Sequence, residues 1–228
     1  MTPARPEAGP ADRLVFLHGF TQTHHHWHAI AHDIAGRLER TPTLAFVDLP
    51  GHGLAADDRT AIADAGAPLA ELAGSGTYVG YSMGGRFALV AAVARPDLVR
   101  RLVLVGATPG IHEAAERAAR RTLDDRRAAQ LEHAGVDAFL DEWLAAPMFT
   151  DLPHDPSDLR HRRRNTAAGL AGSLRTAGTG SQPPLWDRLR EITGDVLVLA
   201  GERDTKFGEI GRRMTGRLPH ATFATVAG

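Results

Sequence analysis

A serine flanked by small residues is the clearest chemical signal in this chain. Ser82 stands in the stretch GYSMG, after a short apolar run and before a helical pattern. Glycines on both sides permit a sharp strand-to-helix turn, which lifts the serine hydroxyl above the edge of a sheet, at the N-terminus of a helix. An incidental serine in a Gly-rich turn is the alternative, and two further motifs speak against it. The stretch therefore predicts a catalytic serine at position 82.

Two other motifs could complete a site around this serine. The sequence LHGF, which ends at Phe20, follows an apolar run, so the Phe20 N–H could join that of Met83 in an oxyanion hole. The sequence GERD, which ends at Asp204, follows a later apolar run and predicts an orienting carboxylate at the sheet edge of Ser82. Serine before aspartate is the chain order of the α/β-hydrolase triad.

An arginine four positions after the serine is the second chemical signal. Arg86 lies in an otherwise apolar stretch, where an unpaired guanidinium would be costly to bury. Helix side chains lean towards the N-terminus, so this guanidinium can reach the side to which Ser82 points. A cation in the first turn opposes the helix dipole unless an anion compensates it. We therefore predict that Arg86 binds a carboxylate of the substrate.

The composition excludes several classes of function. Lys+Arg number 26 and Asp+Glu 27, so the net charge of -1 gives no overall attraction to nucleic acid or to an anionic membrane. The absence of cysteine excludes disulfides, thiolate metal sites and cysteine nucleophiles. No apolar run approaches the ~18 residues of a membrane span, and the first twelve residues lack a signal-peptide core, so we expect a cytoplasmic protein.

A histidine-rich stretch, HHHWH at 24–28, is the one local bias in composition. A metal site is its possible function. Three adjacent histidines cannot all face one ion on a regular element, so we interpret the stretch as a solvated loop. We expect neither a metal nor a cofactor.

Six short apolar runs must position these residues. They lie at 13–17, 43–47, 77–80, 101–105, 196–200 and 222–226. Such runs, separated by helix-sized segments, predict parallel strands buried on both faces of a doubly wound α/β sheet. About 90 residues separate the fourth run from the fifth, far more than one crossover helix needs. We expect a core at 1–108 and 189–228, with a lid of three helical segments at 109–188.

Longer motifs give the chain a more specific resemblance. VFLHGF, DLPGHG, GYSMGGR, GTGSQPPLW and GERDTKF resemble the MenH family, the 2-succinyl-6-hydroxy-2,4-cyclohexadiene-1-carboxylate synthases of menaquinone biosynthesis. Many esterases share HGF and GYSMGG, whereas GGR after the serine, the arginine-rich first lid helix and GERDTKF are more diagnostic. The resemblance runs from about residue 14 to 226. It implies the α/β-hydrolase fold and a lyase that eliminates pyruvate from a small tricarboxylate, without an acyl-enzyme.

The resemblance also implies roles for further residues. Arg120 and Arg164 match the other two arginines that the family uses on substrate carboxylates, and a solvated helix face is the alternative for both. The remaining side chains expected at the substrate are Trp143, Phe149, Tyr81 and His18. The implied mechanism is proton abstraction by a Ser82 oxygen that a His–Asp pair activates. The N–H groups of the oxyanion hole would hold the enolate charge as pyruvate leaves.

A histidine after Asp204 is needed to complete the triad. The family pattern places it directly after a glycine that follows the last strand, and this sequence ends at Gly228. His220 precedes the run at 222–226, so we expect it at the opposite edge of the sheet from Ser82. We therefore expect a truncated or incompletely represented chain that binds the substrate carboxylates but turns over slowly.

Two other functions stay open at this point. A carboxylesterase or C–C bond hydrolase of the same fold would acylate Ser82. A catalytically inert form would bind trianionic ligands without turnover. A small anionic molecule is the expected ligand in each case, with no nucleic acid and no membrane as partner, and the oligomeric state is not given by the sequence.

Overall fold

The computed structural model describes residues 13–149 and 155–227 and contains a single six-stranded sheet. The strands are β1 (Arg13–Leu17), β2 (Thr43–Val47), β3 (Gly76–Tyr81), β4 (Val99–Val105), β5 (Asp195–Gly201) and β6 (Ala221–Val226). Their spatial order is β2-β1-β3-β4-β5-β6, and every neighbouring pair is parallel. All six predicted strands are therefore confirmed, together with the doubly wound parallel arrangement.

Seven α-helices accompany the sheet within the described residues. They are α1 (His28–Arg37), α2 (Gly66–Ala73), α3 (Met83–Ala94), α4 (Ala114–Leu144), α5 (Pro156–Arg162), α6 (Ala167–Ala177) and α7 (Thr205–Thr215). Short 3-10 turns lie at His24–Trp27, Gly53–Ala55, Pro147–Phe149 and Trp186–Glu191. In the part of the chain covered by the structure, no helix has the length and apolar character that a bilayer crossing requires.

The core lies on both faces of the sheet because strand side chains alternate between the faces. On one face, residues such as Val15 and Leu104 pack against α2, α3 and α7. On the other face, Phe16 and Val79 pack against α1. This two-sided burial is the reason why the strands appear in the sequence as continuous apolar runs.

The insertion between β4 and β5 contains α4, α5 and α6. Gly135 interrupts α4 with φ 82 and ψ 174, so the charged and the amphipathic segment of the sequence join at this residue. The third predicted segment divides into two helices, since the side chain of Thr166 caps α6 by accepting from the N–H of Gly169. Leu131 of α4 and Leu170 of α6 are both fully buried, and they belong to one apolar cluster. These contacts hold the insertion together above the sheet.

The interpretation of residues 24–28 as a solvated loop is wrong. His24–Trp27 form a 3-10 turn, and α1 begins at the next residue, His28. The ring of Trp27 packs on Phe16 with 5.3 Å between the centroids. The backbone N–H of His24 donates to Asp48 Oδ1 at 2.7 Å. These two anchors, both distant in sequence, hold the stretch in a helical turn.

Candidate active site

Ser82 occupies the strained turn that its neighbours predict. It lies between the end of β3 and the start of α3, with φ 50 and ψ -107, one of two non-glycine residues with positive φ among those described. A Cβ on Gly84 would lie 2.0 Å from the carbonyl oxygen of Leu17, and a Cβ on Gly80 would lie 2.5 Å from the N atom of Gly85. Only glycine allows these approaches, so the flanking residues fix the turn that exposes the serine.

A cavity of about 1220 Å³ lies beside Ser82, between the carboxyl ends of the strands and the inserted helices. Eight of the predicted site residues line it: Phe20, Tyr81, Ser82, Met83, Arg86, Arg120, Trp143 and Phe149. Sequence reasoning assigned no chemistry to several further lining residues, among them Gln22, Arg127, Arg162, Ser173 and Lys206. The structure thus brings most of the predicted residues to one place.

The guanidinium of Arg86 is buried, with 7% of the residue exposed. Its Nη1 donates to the carbonyl oxygen of Ala177 at 2.6 Å and to Gln182 Oε1 at 3.2 Å. Both acceptors are neutral. Burial, together with the nearby charge of Arg120, lowers the pKa of Arg86 to about 10, so the group stays cationic at neutral pH. Five N–H donors on one guanidinium leave capacity for an anion in the cavity.

Arg120 adds a second positive charge close to the first. Its Nε donates to Asp124 Oδ1 at 2.8 Å, one helical turn along α4. Asp124 is fully buried, and its other oxygen accepts from the N–H of Gly180 at 3.2 Å. One carboxylate therefore faces two guanidinium groups, and the positive charge that remains favours an anionic ligand.

Arg162, rather than Arg164, reaches the cavity. Arg162 is 4% exposed, pairs with Asp158 at 2.6 Å, and donates through Nη1 to Thr21 Oγ1. Arg164 is exposed, does not line the cavity, and contacts His25 Nε2. α5 ends at Arg162, whereas Arg164 lies in the turn that follows the helix. The predicted substrate contact of Arg164 is thereby corrected to Arg162. The aspartate four positions before Arg162 was the sequence signal that could have identified this residue.

His18 lies outside the cavity, contrary to its predicted contact with substrate. It is fully buried; its Nδ1 lies 2.8 Å from the carbonyl oxygen of Gly19, and its Nε2 accepts from the N–H of Leu49 at 3.1 Å. Burial, together with the neighbouring His52, lowers the pKa of His18 to about 3. The ring is therefore neutral and has both nitrogens engaged. It joins the loops that follow β1 and β2.

Asp204 follows β5 and begins α7. Its Oδ1 accepts from the N–H of Phe207 at 3.0 Å, so it caps the helix, and it does not line the cavity. His220 lies at the other edge of the sheet, as expected, since its carbonyl oxygen accepts from the N–H of Val196 near the start of β5. Asp204 therefore lies at the same edge of the sheet as Ser82, beyond the carboxyl ends of the strands, and His220 lies at the opposite edge.

Phe20 and Met83, the residues predicted to form an oxyanion hole, lie on two segments that touch. Met83 is the first residue of α3, where backbone N–H groups have no partner within the helix. The carbonyl oxygens of Leu17 and His18 lie within 2.8 Å of a Cβ built on Gly84, so the start of α3 touches the segment that leads to Phe20. Phe20 and Met83 both line the cavity that contains Ser82.

Aromatic side chains form one wall of the cavity. Trp143 packs against Phe20 with 5.4 Å between ring centroids and against Phe149 with 5.8 Å. The guanidinium of Arg127 lies 5.5 Å from the centroid of the Trp143 ring. Trp143 Nε1 is buried and has no hydrogen-bond partner within residues 13–149 and 155–227. This N–H can donate to a ligand.

Comparison with known proteins gives the site its context. Residues 14–228 match the model of the "Alpha/beta hydrolase family". Proteins named 2-succinyl-6-hydroxy-2,4-cyclohexadiene-1-carboxylate synthase are similar: that of Citrobacter koseri at 34% identity, covering 89% of this chain and 81% of its own, and that of Serratia proteamaculans at 32%, covering 90% and 83%. A solved structure of MenH from S. aureus superposes with a TM-score of 0.83 at 32% identity, covering 97% of this chain and 86% of its own.

Proposed function

Because the chain belongs to the α/β-hydrolase family and matches its 2-succinyl-6-hydroxy-2,4-cyclohexadiene-1-carboxylate synthases over most of its length, we propose that it is such a synthase. It would eliminate pyruvate from 2-succinyl-5-enolpyruvyl-6-hydroxy-3-cyclohexene-1-carboxylate, a step of menaquinone biosynthesis. One observation carries the proposal: four arginines line the cavity that contains Ser82. Arg127 lies against the ring of Trp143, and the other three, Arg86, Arg120 and Arg162, are the proposed partners of the substrate.

The substrate carries three carboxylates, and three guanidinium groups are the matching set of partners. Hydrogen bonds between ionised groups are shorter and stronger than neutral ones, and arginine can bind a carboxylate through two parallel N–H donors. Arg86 and Arg162 are both buried, where the low dielectric strengthens attraction to an anion. The apolar wall around Trp143 would exclude water from the cyclohexene ring.

The proposed reaction is an elimination in which Ser82 serves as base. A Ser82 oxygen takes the proton from ring carbon 2, next to the succinyl carbonyl, and the electrons of that C–H bond form the C2=C3 double bond while those of the original C3=C4 double bond move to C4=C5. The C–O bond to the enolpyruvyl group then breaks, and the released enolpyruvate takes up a proton to become pyruvate. The N–H groups of Phe20 and Met83 would stabilise the negative charge as it develops. Asp204 is the proposed orienting carboxylate for the base that activates Ser82.

A serine esterase is the competing function, and the charges of the cavity argue against it. An ester substrate is neutral around the scissile bond, so it would gain nothing from buried guanidinium groups. Esterase chemistry would pass through an acylated Ser82. Elimination leaves no covalent adduct, and this difference separates the two functions.

The deciding experiment supplies the enolpyruvyl tricarboxylate to the purified chain. We expect binding by calorimetry and pyruvate release in a coupled lactate dehydrogenase assay, with Ser82→Ala keeping the binding and losing the release. Hydrolysis of activated esters with a burst, together with an acyl group on Ser82 by mass spectrometry, would favour the esterase. Absence of tricarboxylate binding would refute the proposed function.

A further inference from the structure

A cluster of histidines stands apart from the cavity, beside the carboxylate of Asp48. One ring nitrogen each from His24, His25 and His28 lies within 4.8 Å of the others. The ring centroids are 4.0 Å apart for His24 and His25, and 5.1 Å apart for His25 and His28. All three residues are partly exposed, so an ion can reach them. We propose that these three histidines bind a divalent transition-metal ion, best represented by Zn²⁺.

The helical turn explains how neighbours in sequence can share an ion. His24 and His28 are four positions apart, and His25 and His28 are three apart, which are the spacings that face each other on a helix. His26 turns away, since its Nε2 lies 3.1 Å from Asp158 Oδ1 and its Nδ1 accepts from the N–H of Thr23 at 3.0 Å. The proposed ligands are therefore His24, His25 and His28, and not the three adjacent histidines 24–26.

Asp48 orients one of the three rings. His24 Nδ1 lies 2.7 Å from Asp48 Oδ2, and the same carboxylate accepts the backbone N–H groups of His24 and Leu54. An acceptor-only carboxylate places the proton on Nδ1, so Nε2 carries the lone pair that a metal needs. A carboxylate behind a ligating histidine is a recurrent support of metal sites. The Asp48 side chain is 3% exposed, which fixes it firmly in this role.

The distances and the donor atoms both suit zinc. Zn–N bonds of about 2.0–2.1 Å in a tetrahedron place nitrogen atoms ~3.3 Å apart, so no pair in the cluster must close by more than about 1.5 Å. Partly exposed side chains can make such a movement by rotation about χ1 and χ2. Imidazole suits zinc, nickel and copper, whereas magnesium and calcium prefer oxygen ligands. Three protein ligands would leave a fourth position for water.

Arg164 competes with an ion for the cluster. Its Nη1 contacts His25 Nε2, so a cation must displace the guanidinium to use that nitrogen. His161 stacks on His25 with 4.4 Å between centroids, and its buried Nδ1 has no hydrogen-bond partner in the part of the chain that the structure describes. Ion binding would therefore also act on the segment after α5. Removal of the Arg164 charge should strengthen the binding of the ion.

The test is calorimetric titration of Zn²⁺ into protein without a polyhistidine tag, with Mg²⁺ as the control ion. We expect one equivalent of zinc, and binding at least ~10-fold weaker in His24→Gln and in His28→Gln than in the unmodified chain. Asp48→Asn should weaken binding about 10- to 100-fold, since it removes the support of His24. Arg164→Gln should bind zinc several-fold more tightly. His133→Gln, an exposed histidine on α4, is the matched control and should bind as the unmodified chain does.

Three results would overturn the proposal. Zinc affinity that survives both His24→Gln and His28→Gln excludes the cluster. An equal loss in His32→Gln would assign the ion to a His28–His32 pair on α1 instead. Several weak equivalents that also fall in His133→Gln would indicate adventitious binding to surface histidines. A cooperative thermal unfolding transition in the absence of metal shows that each variant folds. In His24→Gln and His28→Gln, the rise in Tm that zinc causes in the unmodified chain must disappear. None of these readouts depends on the enzymatic activity.

Discussion

The side chain of Arg86 makes the first prediction at the scale of single residues. Arg86→Ala should lower kcat/KM for the enolpyruvyl substrate by roughly 30- to 1,000-fold, which is about 2–4 kcal/mol, because one substrate carboxylate loses a buried cation. Arg86→Lys should recover only part of the lost kcat/KM, since an ammonium cannot donate two parallel hydrogen bonds. A value within twofold of the unmodified enzyme in Arg86→Ala would remove this residue from the binding site.

The register of the arginine run 162–164 gives a second prediction, with its control two positions away. Arg162→Gln should raise KM about tenfold or more, because a buried charge at the cavity is lost. Arg164→Gln should stay within about twofold, because its exposed side chain lies outside the cavity. Steady-state kinetics of both variants, with their melting temperatures, decide the assignment. The reverse ranking would restore Arg164 as the ligand of the carboxylate.

At the scale of elements, the close packing of α3 against β1 depends on a single glycine. Gly84→Ala places a Cβ 2.0 Å from the Leu17 carbonyl oxygen, where backbone cannot yield cheaply. We expect a clearly lower Tm and slower pyruvate release, since α3 and Ser82 must shift together. Gly36→Ala is the control: nothing lies within 4 Å of its Cβ in α1, so it should stabilise the protein by about 0.5–1 kcal/mol. Equal melting temperatures for the two variants would contradict this account.

At the scale of the whole molecule, two buried histidines predict how stability depends on pH. Burial lowers the pKa of His18 to about 3 and that of His52 to about 4, against 6.5 for the free side chain. Between these values and 6.5 the unfolded chain binds more protons than the folded one, so the free energy of unfolding falls as the pH drops below about 6.5. Each histidine contributes up to ~1.4 kcal/mol per pH unit to this fall in the free energy of unfolding.

Urea unfolding at several pH values between about 4.5 and 7.5 measures this dependence. We expect a plateau above about 6.5 and a decline below it, with a shallower decline in His52→Gln, which removes one of the two fully buried rings. A free energy of unfolding that stays constant down to the pH at which carboxylates begin to protonate would show that neither ring is held neutral in the folded state.

Some features followed from the sequence because they depend on neighbouring residues alone. The six strands appear as apolar runs since both faces of a parallel sheet are buried, and the turn at Ser82 follows from the glycines beside it. The position of Arg86, one turn beyond the serine, depends on helix geometry. Sequence similarity identified the family for the same reason: these motifs are local and contiguous.

Other features were decided by contacts between segments far apart in the chain. His18 is a buried structural residue because Leu49, thirty-one positions later, donates to its ring. Arg162 reaches the cavity instead of Arg164 because α5 lies against Thr21. Asp158, four positions earlier, points to Arg162, but the run of three arginines by itself does not. The histidines at 24–28 form a cluster because Asp48 and Phe16 hold the turn in a helical conformation. Local patterns determine which elements form, whereas the packing of those elements determines which side chains meet.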